Sequence, residues 1–217
     1  VLWQLLLLGM LGNGVYQILF ILGIVRSRVA TAALIVASTP AFVAILGRLL
    51  GTERLTSRQW GGIALQIVGC STVVMGSARG GAGHDSLAGG MLLLGASLSW
   101  AVYSVALKRV STQVHALQLG GYTMLGGAMI TCVIAAPAIL ATPWTSLPLG
   151  VYAALFYSAI LAMVFAYMFW YRGLRILGPT RTAVYSNLQP IIAAIVAYLA
   201  FREVPTFPQV IGASFVI

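Results

Sequence analysis

Apolar runs about twenty residues long are the feature that most constrains how this chain can fold. They occupy about 2–25, 29–50, 58–78, 87–108, 116–141, 148–171 and 179–202, and an incomplete run starts near 206. At 1.5 Å per residue, roughly 20 residues of helix cross the hydrocarbon core of a bilayer. Only 7% of the residues are charged and 60% are hydrophobic, whereas a soluble domain carries about 25% charged residues. The pattern predicts an all-α integral membrane protein, a multi-helix bundle with seven full spans and part of an eighth. Connections at 26–28, 51–57, 110–115, 142–148 and 178–179 are short, which favours antiparallel neighbours. The exception is the Gly-rich stretch 77–90, an internal boundary. Val1 and Leu2 already stand inside an apolar run and Gln209 to Ile217 stop partway through another, so the chain reads as a piece of a longer one.

The 12 basic and 3 acidic residues give a net charge of +9. A nucleic-acid binder needs such charge on a solvated face beside a conventional core, which this chain lacks. Instead the basic residues sort by side. Arg48, Arg54, Arg58, Lys108, Arg109, Arg172, Arg175 and Arg181 fall on one side, against Arg26, Arg28, Arg79 and Arg202 on the other, 8 to 4 of the 12. The positive-inside rule makes the first side cytoplasmic. Cys70 and Cys132 lie in apolar runs, too few and too isolated for a disulfide framework or a metal cage.

Sliding the chain by 150 residues brings out a repeat. Pro40, Glu53, Thr56, Gln59 and Gly62 align with Pro190, Glu203, Thr206, Gln209 and Gly212, and 33–67 holds 10 identities in 35 pairs without a gap. Five spans separate Glu53 from Glu203; the number is odd, so the copies face opposite sides, as in an inverted-topology repeat. Completing both copies calls for two units of five helices, ten in all. Within each block the proline lies 13 residues before the glutamate, roughly 20 Å along a helix, so the proline sits near mid-membrane and the carboxylate at the interface. Pro40 frees the carbonyl of Val36, and Pro190 that of Ser186; in hydrocarbon each must find a partner or line a wet cavity. Both T-x-x-Q steps, Thr56 to Gln59 and Thr206 to Gln209, fit a capping box for the following helix. Glu53 and Glu203 then tie interfacial hairpins, with coupling or gating as the second reading.

At this block the sequence resembles the EamA-type transporters of the drug/metabolite transporter superfamily. The resemblance rests on the mid-helix proline, the hairpin Glu and the trailing Thr, Gln and Gly, present twice, and on Ser99-Trp100-Ala101 after the Gly-rich junction. It implies a ten-helix carrier of two inverted five-helix repeats, with residues 1–80 as the last three helices of the first repeat and 81–217 as the second, truncated in its last helix. It also implies alternating-access movement of small metabolites, often as an exporter, in a multi-pass arrangement in the bacterial inner membrane.

Polar groups at mid-depth are costly unless paired or facing a cavity. They give the candidate substrate contacts: Asn13, Tyr16 and Gln17 in the first span; Thr39, with Ser38, beside Pro40; Trp100, Tyr103 and Ser104, with Ser97, in the fourth; Tyr157, with Ser158, in the sixth; and Asn187 and Gln189, with Tyr185, before Pro190. The bland alternative is that Ser and Thr bond their own helices and amides join neighbouring ones. No Asp, Glu, Lys or Arg stands at the centre of a span, which suits neutral, zwitterionic or amphipathic solutes. Gly62, Gly69 and Gly76 give one smooth face, read first as packing within the bundle and second as a homodimer contact. His84 and His115 lie in connections and no paired carboxylates, HExxH or GxSxG occurs, so neither an enzyme nor a metal or other cofactor is expected. A channel or a non-transporting membrane scaffold is the competing function.

Overall fold

The computed structural model describes residues 2–52, 54–79, 86–111 and 114–185, together with isolated positions from Leu188 to Leu199. Glu53, Asn187, Gln189, Pro190, Glu203, Thr206 and Gln209 lie outside the described residues. The described part is helical throughout, with no strand.

Helix α1 runs Leu2–Ile24. Helix α2 is made of two pieces, Val29–Val36 and Thr39–Leu49. The later helices are α3, Ser57–Arg79; α4, Leu87–Ser111; α5, Ala116–Ala141; α6, Leu149–Leu177; and α7, Pro179–Val184. Of the seven spans expected, five are long and apolar enough over the described residues: α1, α2, α4, α5 and α6. Helix α3 has 23 residues, enough to cross, and carries Arg58, Gln59 and Gln66 in its first half.

Helix α4 is the hub. Most of its length is buried, from Gly89 and Leu93 through Ala96, Ala101 and Val105 to Ser111, with Leu87, Met91 and Leu98 left exposed along one edge, and it packs against α1, α2, α3, α6 and α7. A helix that buries most of its circumference belongs near the middle of a bundle. Helix α1 closes on α4 and α5 through glycines: a Cβ on Gly12 would meet the Tyr103 ring at 2.1 Å, and one on Gly126 would meet the Leu6 carbonyl oxygen at 2.2 Å. Small residues at such crossings let backbones approach where lipid offers no hydrophobic drive for association. The glycine face of α3 is not one continuous contact, because Gly62 looks onto open space while Gly69 is buried.

The break in α2 is made by Pro40 and healed by side chains. The chain leaves the helix at Ala37 and Ser38 and re-enters at Thr39. Proline has no N–H for the Val36 carbonyl; Thr39 Oγ1 donates to that oxygen instead at 2.5 Å. Ser38 Oγ donates to Ile35 O at 2.6 Å, and Gln66 Nε2 reaches from α3 to Ala37 O at 2.6 Å. At the start of α3, Thr56 N donates to Gln59 Oε1 at 2.8 Å while Gln59 N lies 3.5 Å from Thr56 Oγ1, the reciprocal pairing of a capping box.

The connections alternate between two ends. Lys108 Nζ donates to the carbonyls of Leu174 and Arg175, both at 3.1 Å; Arg109 Nη2 donates to Leu50 O at 3.2 Å and Arg175 Nη2 to Val114 O at 2.7 Å. These bonds place the second, fourth and sixth connections together, and those of Lys108 and Arg109 put a cation on a helix C-terminus, where the dipole favours it. At the other end Ser86 N donates to Arg26 O at 3.0 Å, joining the first and third connections.

Two helices leave the α register. In α1 the segment Met10–Val15 is π-helical, and in α6 so is Tyr157–Phe165. Shifted by 150, Met10–Val15 falls on 160–165, inside the second segment. Such segments occupy well under 1% of residues in proteins and occur frequently at functional sites.

Candidate functional site

Helices α1, α4 and α6 bring seven aromatic rings together. Trp100 stands in the middle, with ring centroids 5.0 Å from Tyr16, 5.2 Å from Tyr103, 5.3 Å from Trp170 and 5.7 Å from Tyr167. Tyr16 stacks on Phe20, and Tyr167 meets Tyr171 edge to face, both at 5.7 Å. The tilted and edge-on arrangements are those that aromatic quadrupoles favour. Helix geometry explains the grouping: Tyr167, Trp170 and Tyr171 share one face of α6 at spacings of three and four, and Trp100 and Tyr103 are three apart on α4.

A hydroxyl chain runs beneath the rings. Tyr103 and Tyr171 place their oxygens 3.0 Å apart, Tyr171 and Thr123 of α5 2.9 Å apart, and Thr123 Oγ1 donates to Leu119 O at 2.8 Å. Tyr103 and Thr123 are fully buried and Tyr171 nearly so. The Asn13 carboxamide, carried on the π-helical segment of α1, lies near the Tyr171 hydroxyl, close enough to interact with it, but neither of its amide atoms makes a well-formed hydrogen bond among the described residues. The same holds for Trp170 Nε1 and for the hydroxyls of Ser97 and Ser104, one turn either side of Trp100. An unsatisfied buried polar group costs about 1–3 kcal/mol, so a group of them needs a reason. Ser99, by contrast, donates to Leu11 O of the π segment at 2.9 Å.

Five of the candidates expected from sequence thus meet or flank one place: Asn13, Tyr16, Trp100, Tyr103 and Ser104. Gln17 is half-buried on α1. Thr39 is spent on the α2 break. Tyr157 is 60% exposed, outside the ring cluster, and Ser158 bonds its own helix at Ala154 O. Tyr167, Trp170, Tyr171 and Thr123 were not among the candidates. Mid-depth as a criterion favours Tyr157 and Ser158; the three-and-four spacing of the later aromatics, continued by Leu174, was the signal that marked the inward face.

Toward the basic end, a groove of about 470 Å³ opens between α1, α2 and α4, lined by Gln4, Leu7, Leu8, Leu50, Arg109 and Val110 among others. Leu8 and Val110 also pack against the buried cluster that holds Tyr103 and Tyr171, so groove and cluster share part of a wall.

Fold and site together define a multi-pass membrane protein, a helical bundle with an uncharged aromatic centre. A profile of the EamA-like transporter family matches residues 1–75 and 87–217, and the chain belongs to that family. It is similar to an uncharacterized transporter, YyaM, of Bacillus subtilis, with 27% identity over 98% of this chain and 70% of YyaM. A protein of Streptantibioticus cattleyicolor named as a probable terminal-alkyne amino-acid exporter is 26% identical over 96% of this chain and 68% of its own length. One crystal structure superposes on 99% of this chain and 73% of its own with a TM-score of 0.69 at 21% identity, a likeness of fold. The chain spans about two thirds of the length of the two relatives.

Proposed function

We propose that this chain forms the larger part of a secondary transporter that moves small neutral, zwitterionic or amphipathic metabolites by alternating access, as an exporter, from a site at the α1, α4 and α6 cluster. The supporting observation is the convergence of seven rings with unpaired buried amide, indole and hydroxyl groups on three helices, with no charged side chain in the set. Aromatic faces take an apolar body, and a few neutral hydrogen-bonding groups orient it. Two inverted five-helix repeats supply the moving halves, and the matching 150-residue offset of the π segments agrees with that plan. The basic end faces the cytoplasm of a bacterial inner membrane and the groove beside Arg109 is the cytoplasmic approach. Metal and cofactor chemistry have no part in this reading. The name of the Streptantibioticus cattleyicolor relative, a probable terminal-alkyne amino-acid exporter, makes a zwitterion the first solute to try.

Counterflow of radiolabelled amino acids in proteoliposomes holding the full-length protein tests it. Saturable exchange that falls at least about tenfold in Trp100→Ala, by loss of transition-state and ground-state contacts worth about 1.4 kcal/mol or more, is expected. A linear, unsaturable flux indifferent to Trp100 identifies a channel and sinks the reading.

A further inference from the structure

The buried hydroxyl chain has a direction, and the direction sets the polarity of the site. Thr123 Oγ1 carries one proton and lies 2.8 Å from the Leu119 carbonyl, which has none to give, so the hydroxyl donates there. The 2.9 Å contact between Thr123 and Tyr171 is then made with the tyrosine's proton. Tyr171 has no other proton, so the 3.0 Å bond is donated by Tyr103. Each proton is therefore passed away from the rings and into α5. What the chain leaves on the cluster side is the lone pairs of Tyr103 and the one lone pair of Tyr171 that Tyr103 does not use. The faces of Trp100, Tyr16 and Tyr167 carry the negative part of their quadrupoles.

We propose that the Tyr103 and Tyr171 oxygens with the ring faces around Trp100 form a subsite for the ammonium group of an amphipathic solute, and that Thr123 sets its polarity by holding the Tyr171 proton. Substituted ammonium groups donate hydrogen bonds to phenol oxygens and are attracted to ring faces, most strongly where water is excluded. Neither interaction suits a carboxylate. Thr123 is a positioning residue: it reaches the solute only through Tyr171. The proposal rests on the cluster being the substrate site.

The test uses full-length protein in detergent, with phenethylammonium, phenylacetate and the neutral phenylacetamide titrated against intrinsic tryptophan fluorescence. Phenethylammonium should bind about tenfold more tightly than phenylacetate. Thr123→Val, close to isosteric, frees the Tyr171 proton to turn toward the rings and should narrow that ratio to about threefold or less, while Thr123→Ser keeps it. A merely structural role for Thr123 would weaken all three ligands alike and leave the ratio where it was, which overturns the assignment. If phenylacetate or the amide binds as well as the ammonium compound to the wild type, and Trp100→Ala abolishes that binding, the polarity is wrong while the site stands. If none of the three binds, the site itself is wrong.

Discussion

Gly12 shows how much is decided at a single residue. It has no side chain because the Tyr103 ring occupies the space where one would stand, and Tyr103 is fixed in turn by its bond to Tyr171. Gly12→Val should therefore destabilise the protein by about 1–3 kcal/mol or more through overpacking against a ring that has nowhere to go. Gly121→Ala, on α5 with nothing within 4 Å, is the matched control and should leave stability unchanged within about 0.5 kcal/mol. Thermal unfolding in detergent compares the two, and equal melting temperatures would show that the α1–α4 crossing is not this tight. At this scale the sequence was informative about chemistry and less so about partners. Asn13 and Trp100 stand out as unusual residues in apolar runs. That Thr123 belongs with them depends on α5 and α6 being neighbours, which no spacing within one helix records.

At the scale of an element, α2 was the most legible. Pro40 announces a break, and Ser38 and Thr39, read as candidate cavity groups or as helix-bonding hydroxyls, take the second role by bonding the freed carbonyls. Gln66, 29 residues away, was not foreseeable, because the bond to Ala37 O crosses between helices. Gln66→Leu leaves that carbonyl without its side-chain donor in a buried place and should cost about 1–3 kcal/mol. A drop of several degrees in melting temperature, not reproduced by Gln59→Leu at the exposed capping box, is the expected outcome. The π segments were invisible for a different reason: hydrophobic periodicity is matched against 3.6 residues per turn, and a local widening shifts the pattern without erasing it. Gly12 and Gly14 are the only hint in Met10–Val15, and Tyr157–Phe165 contains no glycine at all.

For the whole molecule, the spans and their alternation were readable from hydropathy and charge, whereas the centre was not, since it is assembled from three helices whose order of packing the sequence does not state. The alternation yields a direct experiment. With Cys70 and Cys132 replaced by Ala in the full-length protein, a cysteine at Ser27 or Ser146 should react with a membrane-impermeant maleimide in intact cells. One at Arg54 should react only after permeabilisation. The reverse labelling would invert the molecule and make the groove at Arg109 an outward mouth. The cations that carry this asymmetry are also fastened to particular carbonyls, and that has a consequence for biogenesis. Arg109 finds Leu50 already made when α4 leaves the ribosome, since its partner precedes it by 59 residues. Lys108 must wait for Leu174, which is translated 66 residues later, several seconds at about 5–20 residues per second. During that interval α4 can fasten to α2 but not to α6. The aromatic centre is thus closed only by the arrival of α6, the helix that brings three of its rings.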